Sequence, residues 1–115
     1  MKTRTMMLIT GLLFFSMTSI FASEVKTEKI KVYGNCGMCK TRIEKAANAV
    51  KGVTKAIWDD TEAILTVTFD DAKTTTLKIE EAVAKVGHDT EHMKASDKTY
   101  NGLPGCCKYD RPAKK

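Results

Sequence analysis

Proline is nearly missing from this chain: two occur in 115 residues, Pro104 and Pro112, both close to the C-terminus. Everything before residue 104 therefore lacks the cis-proline that would stand beside a redox-active cysteine pair. Aromatic residues are also sparse, at 7% with a single tryptophan, and no aromatic pattern accompanies the lysines. A base-stacking nucleic-acid surface is not offered, and the net charge of +5 reads as a solvated surface with a small basic cluster at Lys108, Arg111, Lys114 and Lys115. No low-complexity segment and no second domain interrupts the pattern, and the length suits one domain.

Long apolar runs are missing too, apart from the beginning. Residues 1–22 have a basic start (Lys2, Arg4), an apolar run from Met6 to Phe21, and small residues at Ala22 and Ser23. This is the three-part pattern of a secretory signal peptide cut after Ala22. The run is short for a membrane span and is interrupted by Thr10, Gly11, Ser16, Thr18 and Ser19. No stable membrane insertion is expected after cleavage, and no cysteine follows the cut to take a lipid. Lys2 and Arg4 are the only charges in the segment, so the remaining 93 residues carry +3. The expected location is periplasmic or secreted. All four cysteines, Cys36, Cys39, Cys106 and Cys107, fall in the exported part. An oxidising compartment favours pairing, and four cysteines allow three complete connectivities.

Hydrophobic periodicity sets out the elements. Glu28 to Tyr33 alternates, with Ile30 and Val32 on one face of a strand. Ile43, Ala46, Ala47 and Val50 make one stripe on a helix of about three turns, stopped by Gly52. Residues 53–59 and 63–69 read as two strands of a hairpin, with Ala56 and Trp58 on a shared face and Ala63, Leu65, Val67 and Phe69 on another. Ile79, Ala82, Val83 and Val86 repeat the helical spacing before Gly87. Residues 88–94 form a polar candidate for a final edge strand. The predicted class is α+β, a ferredoxin-like β-α-β-β-α-β arrangement with a four-stranded antiparallel sheet and two helices on one face. The expected domain is 23–96, with an irregular, accessory tail over 97–115 that carries the Cys-Cys pair.

The cysteines need a chemical reading, because the core looks adequate without staples. Cys36 and Cys39 are three apart at the start of the first helix, so both sulfurs can reach one point. Gly34 and Gly37 are expected to let the backbone bend around it. The open N–H groups and partial positive charge of a helix start favour thiolate, the form that binds metal, and Lys40 and Arg42 push the same way. Two thiolates and little else suit a soft ion of low coordination number, above all Cu(I), whereas zinc usually takes four ligands. The same C-x-x-C could serve a thiol-disulfide oxidoreductase. Against that stand the strand order, the absence of a Trp-Cys-Gly-Pro-Cys string and the absence of proline from the domain.

The segments GNCGMCKTRIEKAANAVKGV, IWDDTEAILTVTFDD and LKIEEAVAKVGHD resemble the heavy-metal-associated domain family, which includes copper chaperones, metal-binding repeats of copper-exporting ATPases and a periplasmic mercuric-ion binding protein. The resemblance runs from about Glu28 to Met93. It implies that Cys36 and Cys39 bind Cu(I), or Hg(II) in the mercury branch, and pass it on by ligand exchange. Zn(II) is a further candidate cargo. It implies a binding protein, not an enzyme, with a metal-efflux or metal-transporting protein of the cell envelope as partner. The expected state is a monomer, or a dimer bridged by metal. The family usually has Gly-Met-Thr before the first cysteine; here Tyr33-Gly34-Asn35 stands there, and Met38 is not an obvious replacement for the lost methionine. Gly87-His88 follows the second helix, where the family's chain nears the metal loop, which makes His88 a candidate third ligand. Nothing places His92 near the loop. Cys106 and Cys107 are candidate accessory ligands or disulfide partners; being adjacent, they rarely bond to each other without strain. The scattered methionines, Met6, Met7, Met17 and Met93, make no methionine-rich copper motif.

Overall fold

The structure is a computed structural model and describes residues 24–112. The expected signal segment, 1–22, lies outside the described residues. Three strands form one antiparallel sheet: β1 (Val25–Lys31), β2 (Val53–Asp59) and β3 (Ile64–Asp70), in the order β1-β3-β2. Helix α1 (Gly37–Asn48) connects β1 to β2, and helix α2 (Thr76–Lys85) follows β3. Alternation along the strands explains the sheet's buried face: Ile30, Ala56, Trp58, Leu65, Val67 and Phe69 all point inward. Ile43 and Ala47 of α1 and Ile79 and Val83 of α2 join them in a single core. Trp58 is the largest member, 1% exposed, and its indole N–H donates to the Val32 carbonyl at 3.0 Å. Burying it stabilises the fold by on the order of 5 kcal/mol.

The hairpin loop is one residue longer than expected. Ala63 leaves the strand with φ of +57°, a left-handed turn conformation, and β3 begins one residue later. Two polar side chains that periodicity assigns to solvent also hold α1 in place. Lys40 donates to Glu44 and to the Trp58 carbonyl, and Glu44 accepts the Trp58 backbone N–H at 2.8 Å.

The fourth strand does not form. It is reduced to one antiparallel bridge, Val32 to Thr90, with the Tyr33 N–H donating to the Asp89 carbonyl and the Glu91 N–H to the Lys31 carbonyl, both at 2.9 Å. The cause is local. The Thr90 N–H donates to the Met93 carbonyl at 2.7 Å and the Met93 N–H to the Thr90 hydroxyl at 3.0 Å, which turns the chain back on itself. The buried carboxylate of Glu80 accepts from the Thr90 hydroxyl and the His92 N–H, each at 2.9 Å, and locks that turn against α2.

The tail is not irregular. It contains a short helix, α3 (Asp97–Asn101), and a 3-10 turn, Gly105–Cys107. Leu103, Cys107 and Tyr109 belong to the main core. Gly87 marks the contact, with φ of +109° and room only for hydrogen: a Cβ there would lie 2.9 Å from the Leu103 side chain. The Tyr109 hydroxyl donates to the Gly87 carbonyl at 2.8 Å and accepts the Asp89 N–H at 2.7 Å. Arg111 grips the buried Asp89 carboxylate through Nε at 2.8 Å and Nη2 at 2.9 Å. The physical reason for the misjudged tail is that its apolar residues follow no regular period and become core only through these long-range contacts. Among the described residues no helix is long and apolar enough to cross a membrane.

Burial alone would raise the Asp89 carboxyl, but the Arg111 guanidinium and the Ala95 N–H outweigh it and hold it below its ordinary value. A depressed carboxyl stabilises the fold above its unfolded pKa of about 3.9 and loses that contribution as pH falls through the folded value. Arg111→Ala is expected to cost about 3 kcal/mol at neutral pH and to move acid unfolding to higher pH. Melting temperature followed from pH 7 to pH 3 checks both; equal curves for the two proteins would refute the assignment.

Candidate metal centre

The site begins with the floor on which the cysteine loop rests. Gly34 passes so close to Trp58 that a Cβ would stand 3.1 Å from its ring and 3.1 Å from the Cys39 Cβ. Gly37 has open space at the same test, so of the two expected bending positions only Gly34 is sterically required. Cys36 is the N-cap of α1 with extended backbone (φ −137°, ψ −179°), and Cys39 lies in the first turn. Cys39 is buried and Cys36 half-buried, so one sulfur faces the core and the other the rim.

The tail then arrives from the opposite side. The Cys36 Sγ is 3.7 Å from the Cys39 Sγ and 3.7 Å from the Cys107 Sγ, and the sulfurs of Cys106 and Cys107 are 3.9 Å apart. The three sulfurs of Cys36, Cys106 and Cys107 all lie within 4.8 Å of one another. All four cysteines are free thiols. Cys106, which is exposed, also lies with its thiol 3.5 Å from the Met38 thioether. Arg42, half-buried on α1, donates from Nη1 to the Cys107 Sγ at 3.3 Å. Sulfurs gripping one ion at about 2.3 Å stand about 3.8 to 4.0 Å apart, whether four or three bind. The three spacings between successive sulfurs lie near that range; the group whose sulfurs all fall within 4.8 Å of one another is Cys36, Cys106 and Cys107, and Cys39 adjoins it through Cys36.

Cys36, Cys39 and Cys106 differ in acidity. The Cys39 backbone N–H, at the open end of α1, lowers the Cys36 thiol to about 7 against the opposing effect of burial. Burial pushes the Cys39 thiol up to about 11. The neighbouring Cys36 sulfur and then Cys107 push Cys106 up to about 11. Of these three, Cys36 forms its thiolate first, with the Cys39 and Cys107 sulfurs each 3.7 Å from it.

His88 is not in this group. Its ring is fully buried and stacked on Tyr109, with centroids 5.4 Å apart. Nδ1 lies 2.8 Å from the Tyr33 carbonyl, which can only accept, so Nδ1 carries the proton. Nε2 is then a buried lone pair without a partner. Burial lowers the His88 pKa and the Arg42 cation adds to this, so the ring stays neutral at pH 7. His92 is engaged elsewhere, against Glu80 at 3.2 Å. Sequence reasoning weighed Cys106 and Cys107 without a location for them. A signal was present: two of the three tyrosines, Tyr100 and Tyr109, lie in the tail of an aromatic-poor chain, which marks a segment that packs.

No protein-family model matches the chain. Relatives do. A zinc-transporting ATPase of Synechocystis is 34% identical over 82 residues, 70% of this chain, which spans only 11% of that protein's length. The periplasmic component of a mercuric transport system from Shewanella putrefaciens is 31% identical over 85 residues, 74% of this chain and 92% of that protein. The chain belongs to the heavy-metal-associated domain family. Copper chaperone CopZ of Staphylococcus aureus is another member, 33% identical over 55 residues, 48% of this chain and 81% of CopZ. The crystal structure of oxidised MerP from Ralstonia metallidurans CH34 superposes with a TM-score of 0.57 at 33% identity, over 59% of this chain and 96% of MerP. In this heavy-metal-associated domain, then, the cysteine loop opens the first helix as a strand-to-helix junction, and the tail adds two further sulfurs beside it.

Because a thiol with a lowered pKa is thiolate above that value, Cys36 in the reduced, metal-free protein should react with iodoacetamide with a midpoint near pH 7. Cys106, though exposed, should react only toward about pH 11. Peptide mass mapping across pH checks the order; Cys106 reacting first would refute the electrostatic account.

Proposed function

We propose that the protein binds a soft metal ion, foremost Cu(I), as cargo through the thiolates of Cys36 and Cys39, carries or buffers it, and releases it by ligand exchange. The observation that carries this reading is the run of sulfur contacts of 3.7, 3.7 and 3.9 Å gathered at the start of α1. The group consists of cysteine sulfurs with a thioether beside them, and such donors favour Cu(I) over ions that prefer oxygen or imidazole. The helix start and Arg42 offset the negative charge that thiolates bring. Hg(II) and Zn(II) are the competing cargoes, and a four-sulfur set would also satisfy zinc.

The location that fits the N-terminal pattern is the periplasm or the exterior. The partner that fits the relatives is a metal-transporting protein of the cell envelope. Transfer needs a partner thiolate to form one metal–sulfur bond as one from this protein breaks, the departing thiolate taking a proton from solvent or keeping its charge. Of the loop pair, Cys36 stands at the rim and is the sulfur given up first; Cys39 holds the ion from below. His88, outside the sulfur group, keeps a buried Nε2 lone pair without a partner and is the candidate supporting residue.

Competition against a Cu(I) chelator under reducing, oxygen-free conditions tests the reading. Cys36→Ser and Cys39→Ser should each weaken Cu(I) binding by orders of magnitude while the fold survives. Binding within about tenfold of the parent for both variants would overturn it. Tighter retention of Zn(II) or Hg(II) than of Cu(I) would change the cargo. Catalysed reduction of insulin without tight metal binding would favour the oxidoreductase. His88→Phe is expected to lower Cu(I) affinity by about tenfold; affinity unchanged would leave His88 a packing residue.

A further inference from the structure

We propose that Cys106 and Cys107 are ligands of the same ion, delivered by the tail, so that the cysteine loop and the tail close over the cargo like a clasp. This rests on the reading that Cys36 and Cys39 bind the ion, and adds what retains it there. The sulfur contacts run from Cys39 through Cys36 to Cys107 and Cys106 without a gap wider than 3.9 Å. Cys107, fully buried, could serve as a small core residue, but Cys106 is exposed and still has its sulfur within 4.8 Å of the Cys36 sulfur. Adjacent cysteines resist a bond with each other, so the pair is kept as two separate thiols.

The clasp is also preformed. Cys107 is fixed within its turn by its N–H on the Pro104 carbonyl at 2.8 Å and by its carbonyl, which accepts the Tyr109 N–H at 2.9 Å. Tyr109 and Arg111 then tie the following residues to Gly87 and Asp89. The sulfurs of Cys36, Cys106 and Cys107 therefore lie together before an ion arrives, and the cost of bringing the tail to the loop falls on folding rather than on binding. Arg42 completes the arrangement by donating to Cys107, the tail sulfur inside the protein.

The consequence is an order of release. An incoming thiolate of the partner first replaces Cys106, the exposed ligand, one metal–sulfur bond forming as one breaks and the freed Cys106 taking a proton from solvent. Cys107 and Cys36 follow, and buried Cys39 lets go last. The protein retains its ion against small thiols more firmly than a two-cysteine loop does, and gives it up to a partner that can engage the tail.

The test uses the full chain, kept reduced with a non-thiol reductant, loaded with one equivalent of Cu(I) and examined by X-ray absorption. The parent should show at least three sulfur ligands, and the Cys106→Ser/Cys107→Ser variant two. The double variant should also bind Cu(I) about a hundredfold or more weakly against a chelator and surrender it faster. Cys106→Ser alone, a change at an exposed position that leaves the core intact, should lower the sulfur count by one and speed transfer. Two sulfurs in the parent, or an unchanged count and affinity in both tail variants while Cys36→Ser/Cys39→Ser binds nothing, would overturn the clasp and leave the proposed function standing. Parental binding by Cys36→Ser/Cys39→Ser would instead overturn the proposed function, and the clasp with it.

Discussion

The Tyr109 hydroxyl is the contact on which the arrangement of the sulfurs depends. It donates to the Gly87 carbonyl and accepts the Asp89 N–H, so it satisfies two buried backbone groups where the chain leaves α2. Each would otherwise cost about 1 to 3 kcal/mol as an unpaired buried polar group. Its ring stacks on His88 and meets Tyr100 edge-on at 5.0 Å. Through that one side chain the end of α2, the buried imidazole and the tail become a single packed unit. Cys107, two residues earlier, has no freedom to lie elsewhere.

Around this unit the polar groups are distributed by burial. Charged side chains sealed in the interior, Glu80 and Asp89, serve the segment after α2: one fixes the turn at Thr90 to Met93, the other receives Arg111 and the Ala95 N–H. The sulfurs occupy the opposite situation, graded from buried Cys39 and Cys107 to exposed Cys106. Rigid polar bonding below and an accessible sulfur above is the arrangement a carrier needs, since the scaffold must stay put while ligands exchange.

Most of the sheet was legible in the sequence because its signals are local. Alternation placed β2 over Val53–Asp59, and helical spacing placed Ile43 and Ala47 of α1 and Ile79 and Val83 of α2 in the core. The misses all involve bonds and contacts that no hydrophobic period expresses. The fourth strand failed because Thr90 bonds to Met93 and Glu80 claims the segment, neither of which a period-2 pattern can express. The tail looked irregular because Leu103, Cys107 and Tyr109 share no period; they share a destination. At the site, the pairing of Cys36 with Cys39 follows from three-residue spacing at a helix start, but Cys107 is 71 residues from Cys36 and nothing along the chain announces that approach. Arg42 read as a general source of positive charge, whereas its hydrogen bond to one sulfur is a tertiary fact.

That separation of 71 residues has a thermodynamic side. An ion held by both Cys36 and Cys107 is a cross-link across a long loop, and it removes entropy from the unfolded chain much as a covalent bridge of that span does, by about 4 kcal/mol. Loading and folding then draw on the same free energy. The empty protein opens more often, and opening exposes it to proteolysis in proportion to the open population. On the proposed clasp, cargo would lengthen the lifetime of its own carrier, because filled molecules would open less often than empty ones.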